Sequence, residues 1–167
     1  MQRLWIFLLA LGLSQGLSWE GRASAPSSPS PWFSIKKSPC NIRRGPGKDY
    51  PIVWLSKAAM PVVVMAESED WRRLKDRDGI LGWVHKNMLS KKESAFVIEN
   101  LSALYKKPAP NSRILAYLKP ELLVWVRGCQ DQWCRVKIEQ EDQGKFEGYV
   151  KQEVLWPHGV ADLAAGP

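Results

Sequence analysis

From Phe33 to Trp156 the chain is built of short apolar runs whose hydrophobic positions recur every second residue, with turn-forming residues between them. Successive side chains of a strand point to opposite faces, so this period of two predicts half-buried β-strands. In the first half the pattern predicts strands at about residues 33–37, 41–44, 52–55, 62–67, 71–75 and 81–85. Gly45-Pro46-Gly47 marks a tight loop and Asp78-Gly79 a hairpin turn. No long window holds a helical period. Lys86–Met88 is expected to form at most one helical turn.

The pattern then repeats. A shift of 62 places Ile42 on Leu104, Ile52 on Ile114, Val62 on Val124, Trp71 on Trp133 and Leu74 on Val136. Beyond that point a shift of 66 places Gly82 on Gly148, Val84 on Val150 and Leu89 on Leu155. The change of four residues marks an insertion in Glu141-Asp142-Gln143-Gly144, as a lengthened hairpin would produce. The expected organisation is therefore two small β modules in tandem, at 32–92 and 93–157, with a tail at 158–167. Modules of this size bury a modest core, so each is expected to lean on its neighbour.

The N-terminus changes what the charge means. Arg3 precedes the apolar run Leu4–Leu13, and small residues follow, which predicts a secretory signal peptide over 1–23. Cleavage after Ala23 is one option and after Ala25 another. Residues 24–31, SAPSSPSP, read as a Pro/Ser linker. A formal charge of +7 suits anionic polymers or membrane surfaces. Export makes nucleic acid a poor candidate, and no stable membrane span is expected once the signal is removed. An oxidising compartment also favours a disulfide between Cys129 and Cys134, which flank a short turn between two strand-like runs. Cys40 has no partner nearby in sequence and is expected to be a small buried residue.

Cys40–Trp54 (CNIRRGPGKDYPIVW), Trp71–Leu74, Asp78-Gly79, Gly82–Lys86 and Met88–Ser90 carry a recognisable pattern. It resembles the bacterial SH3-like domain family, here as a tandem pair, and the resemblance is sharper over 33–90 than over 96–156. It implies an all-β fold of two tandem small SH3-like β-barrels preceded by a signal peptide. It also implies a periplasmic or secreted bacterial protein, and exported members are often linked to the cell wall.

Catalysis is not expected. Cys40 with His85 is the one conceivable Cys–His dyad, and the second copy has Ser102 and Lys151 at those places. Neither histidine stands in a metal-ligand spacing, and neither a metal nor any other cofactor is expected. Binding remains. Tyr50 and Trp54 flank the Gly-Pro-Gly loop and have Ser112 and Ala116 as counterparts, so they suit contact with sugar rings or peptide stems. Trp71 and Trp83 have aromatic counterparts in Trp133 and Tyr149, so they read first as barrel-wall aromatics and second as binding surface, and Arg43 belongs to a cationic rim. The expected ligand is peptidoglycan or another envelope component. The alternative is a periplasmic protein–protein adaptor whose partner is an envelope protein. The Ala103-Leu104-Tyr105 run is similar to the opening of eukaryotic SH3 domains, which bind proline-rich peptides, but Lys106-Lys107 replaces the acidic residues that follow there.

Overall fold

Alternating burial along each apolar run closes two sheets of the same connectivity. The computed structural model describes residues 32–140 and 144–158. The expected signal peptide, the linker, the tip of the inserted hairpin at 141–143 and the tail beyond His158 lie outside the described residues.

The first sheet contains β1 (Trp32–Ile35), β2 (Cys40–Arg43), β3 (Ile52–Ser56), β4 (Pro61–Ser68), β5 (Trp71–Lys75), β6 (Leu81–His85) and β7 (Leu89–Ser90). The second contains β8 (Ser94–Val97), β9 (Ser102–Tyr105), β10 (Ile114–Leu118), β11 (Leu123–Gln130), β12 (Trp133–Gln140), β13 (Gly144–Lys151) and β14 (Leu155–Trp156). Their strand orders are β3-β2-β6-β5-β4-β1-β7 and β10-β9-β13-β12-β11-β8-β14. Adding seven to each label of the first order gives the second. A single 3₁₀ turn, Lys86–Met88 or Gln152–Val154, precedes the last strand of each.

The residues that match under the two shifts are the ones that fill the cores. Ile42, Val62, Leu74 and Val84 are buried in the first sheet's core, and Leu104, Val124, Val136 and Val150 in the second's. Each such side chain contributes roughly 1.5–3 kcal/mol by leaving water. The four-residue shift is taken up by strand length: β5 and β6 have five residues each, whereas β12 and β13 have eight. Turns are tight. Asp131 and Gln132 both adopt left-handed backbone, so β11 and β12 are joined by two residues, and Cys129 lies opposite Cys134.

The Cys129–Cys134 disulfide is formed, with a sequence separation of 5. Closing so short a loop removes little unfolded-state entropy, about 2 kcal/mol in the chain-entropy account. Replacing both cysteines with alanine should lower the urea unfolding free energy by about that amount. Dithiothreitol should reproduce the shift in the wild type and leave the double variant unchanged. Identical denaturation curves with and without reductant would contradict this.

The two halves touch through few but specific groups. Ser94 Oγ donates to the Ala59 carbonyl at 2.6 Å, and Ser34 Oγ to that of Lys92 at 2.6 Å. Arg77 pairs with Glu121 while its guanidinium lies 5.9 Å from the Phe96 ring centroid. His158, placed by sequence at the start of a tail, is buried and packs its ring 4.1 Å from that of Trp32. Both terminal ends of the described chain are held by this contact.

Candidate functional site

On β6 the buried residues are Gly82 and Val84, so Trp83 and His85 face outward. Trp83 lies opposite Arg43 on β2 and Arg73 on β5, which gives an outward row of Arg43, Trp83 and Arg73 across three adjacent strands. The next pair along the same face is Trp71 with His85, whose rings meet edge-on at 5.7 Å. Asp70 stands beside them. A 2.6 Å hydrogen-bonded ion pair from Lys86 Nζ holds its carboxyl below the usual carboxylate range.

The loop between β2 and β3 is organised around Tyr50. Its ring lies against Gly45 and Gly47, where a Cβ at Gly45 would run into the ring itself. The Gly-Pro-Gly sequence therefore makes a seat for the tyrosine. Arg43 closes the loop, its guanidinium donating to the Tyr50 carbonyl at 2.7 Å. Tyr50 remains 46% exposed, so the loop presents an aromatic ring to solvent next to the Arg43–Trp83 row. Arg43, Tyr50 and Trp83 are thus brought together, with Trp71 further along the same face.

Trp54 is placed differently. It lies opposite Ile42, so it shares the inward face and packs half-buried over the first core, its ring against Gly82. Its neighbours in sequence, Ile52, Val53 and Leu55, are exposed along the sheet's outer edge. Trp54 supports the wall of the barrel from within.

The second half carries an equivalent outward face, which sequence reasoning passed over. Tyr105, Tyr149, Arg135 and Gly128 form the row equivalent to Arg43–Trp83–Arg73. Trp133 meets Tyr105 edge-on at 5.2 Å and carries Lys151 Nζ 5.4 Å from its ring centroid. Beside it opens a groove of about 480 Å³, lined by Trp133, Tyr149, Arg127, Arg135, Asp131 and Pro108 among others. The signal was present in the repeat arithmetic, since Trp133, Arg135 and Tyr149 correspond to Trp71, Arg73 and Trp83.

Cys40 is buried, and burial raises its thiol pKa above the ordinary value, so it is a protonated core group. His85 faces the opposite side of the sheet from the Cys40 side chain, with Nδ1 accepting from the Asn87 amide at 3.3 Å. The two do not form a pair. Among the described residues no group of three or more His, Cys, Asp or Glu is arranged to hold a metal.

Residues 36–91 and 99–157 each match the family model described as bacterial SH3 domain. Comparison with curated proteins gives no match. Among solved structures the chain is similar to NlpC1 from Trichomonas vaginalis, at 12% identity and a TM-score of 0.33, covering 80% of this chain and 48% of that one. It is also similar to an NlpC/P60 family protein from Bacillus cereus, at 12% identity and a TM-score of 0.33, covering 74% of this chain and 55% of that one. The chain thus spans about half the length of these solved proteins.

Proposed function

The chain belongs to the bacterial SH3 domain family, and from that membership we propose that it is a non-enzymatic binding module of the cell envelope whose ligand is peptidoglycan. The observation that carries the proposal is the outward face of each half, where aromatic rings stand beside arginines: Arg43–Trp83–Arg73 in one, Tyr105–Tyr149–Arg135 in the other. Aromatic faces suit sugar rings and peptide stems, and guanidinium groups suit the carboxylates that stems carry. The net positive charge, +7 for the whole chain and one less once Arg3, Glu20 and Arg22 leave with the expected signal peptide, adds long-range attraction to an anionic wall. No helix among the described residues is long and apolar enough to cross a membrane. A periplasmic or secreted location accords with the disulfide and with the expected signal peptide.

Purified protein mixed with isolated sacculi at low salt should pellet with them, and digestion of the sacculi should return it to the supernatant. Protein that never pellets would overturn the proposal. A second reading, a protein–protein adaptor, draws on β3, an edge strand that leaves Ile52, Val53 and Leu55 exposed. It predicts co-purification with one envelope protein that survives wall digestion.

A further inference from the structure

Arg127 stands at a bulge in β11, where the register against β12 slips between Val126 and Gly128. The extra residue puts the arginine at the join of two grooves. One is the groove floored by Trp133 and Tyr149. The other, of about 290 Å³, is lined by Lys91, Lys92, Glu93 and Trp125 and shares Arg127 and Gly128 with the first. Together they make a continuous track from the outer face of the second sheet to the connector that enters β8.

The charge along this track is largely uncommitted. Lys91, Lys92 and Arg127 are exposed, and none takes part in the ion pairs found among the described residues. Arg135 is partly spent on Glu147, at 2.8 Å. Two carboxylates line the track. Glu93 lies 3.7 Å from the buried His158 ring, and Asp131 sits on the exposed β11–β12 turn. Cations therefore outnumber carboxylates, and three aromatic residues, Trp125, Trp133 and Tyr149, line the same grooves. A flexible acidic peptide needs the cations and makes little use of rings, whereas a neutral sugar needs the rings and makes little use of the cations.

We propose that this track binds a glycan chain carrying repeated anionic groups, with sugar rings on the aromatic faces and the anionic groups on Lys91, Lys92 and Arg127. The inference rests on the binding-module reading and deepens it by placing a ligand site in the second half. The disulfide, one residue pair from Arg135 along the β11–β12 ladder, fixes the hairpin end that carries Asp131 and Trp133.

Calorimetric titration of the purified protein with three probes separates the terms: a polyuronate oligosaccharide (rings and charge), a dextran oligosaccharide (rings alone) and polyglutamate (charge alone). The polyuronate should bind at least about tenfold more tightly than either of the others. Arg127→Ala, an exposed position, should weaken polyuronate binding about fivefold, and Lys91→Ala/Lys92→Ala should do likewise, each with a shallower salt dependence. Equal binding of dextran would remove charge from the account, and equal binding of polyglutamate would assign the track to acidic peptides; either overturns the proposal. So would an Arg127→Ala variant that binds polyuronate like the wild type. Sacculi tested in parallel keep the two readings apart: pelleting that ignores Arg127→Ala would sink the track while leaving wall binding intact.

Discussion

Valine in place of Gly82 is expected to destabilise the first half severely, and Gly148→Val to do the same to the second. A Cβ at Gly82 would collide with the Ile42 side chain and lie 2.7 and 2.9 Å from atoms of the Trp54 ring. At Gly148 it would lie 2.7 Å from Leu104 Cγ and 2.8 Å from the Tyr105 carbonyl oxygen. Each glycine is buried inside a strand, so the added atoms have no exit to solvent. Overpacking of this kind costs about 3 kcal/mol or more, against a total stability of the order of 3–9 kcal/mol for some sixty residues. Gly148 is the harsher case because its neighbour is backbone, which cannot change rotamer. Thermal unfolding followed by circular dichroism and tryptophan fluorescence should show a loss of about 12 °C or more, or no transition at all. A shift below about 3 °C would mean that the strands part easily and that the packing described here is wrong.

Acidification is expected to weaken the contact that holds the two ends of the described chain, starting well above the pH at which carboxylates protonate. His158 is buried against Trp32, and burial lowers its pKa from 6.5 to about 4. Glu93 lies 3.7 Å from Nε2, but the imidazole side chain is only 1% exposed and desolvation by burial sets the direction of the shift. Between pH 6.5 and pH 4 the unfolded chain binds a proton that the folded chain refuses, so stability falls as pH falls through this window. Completing the interval costs about 3 kcal/mol. Asp70 and Glu139, whose carboxyls are held below their ordinary values by Lys86 and Lys137, lose their contributions only at more acidic pH. Urea unfolding at pH 7.5 and pH 4.5 should therefore differ by about 2–3 kcal/mol in the wild type. In His158→Gln the difference should largely vanish. A wild-type profile flat over this interval would contradict the burial of a neutral imidazole.

Much of this was legible in the chain. Ile42/Leu104 and Val84/Val150 predicted paired cores because buried strand faces tolerate only apolar residues, and the two shifts located the longer β12–β13 hairpin. The family resemblance, the 3₁₀ turn at Lys86–Met88 and the Cys129–Cys134 disulfide followed from local pattern as well. The face on which an aromatic falls was harder to read. Tyr50 and Trp54 look equivalent beside the loop, yet strand pairing turns Trp54 inward onto Gly82 and leaves Tyr50 outside on Gly45 and Gly47. The burial of His158 depends on Trp32, 126 positions away in sequence, and no local rule reaches that far. The basic track was hidden for a related reason. A bulge at Arg127 brings it beside Lys91 and Lys92, and a single-residue slip in register leaves no mark in composition.

The central claim is that the outward aromatic–arginine face binds the wall. Its most direct test compares wild type with Tyr50→Ala/Trp83→Ala/Tyr149→Ala, which removes aromatic rings from the outward face of both halves, in pelleting with sacculi across a salt series, after confirming that the variant keeps the wild-type circular dichroism spectrum. The account predicts that wild-type retention persists in part at 0.5 M salt, where surface charge is largely screened, and that the variant loses at least about nine-tenths of it. Retention that fades with salt equally in both proteins would reduce the wall contact to charge alone and contradict the account.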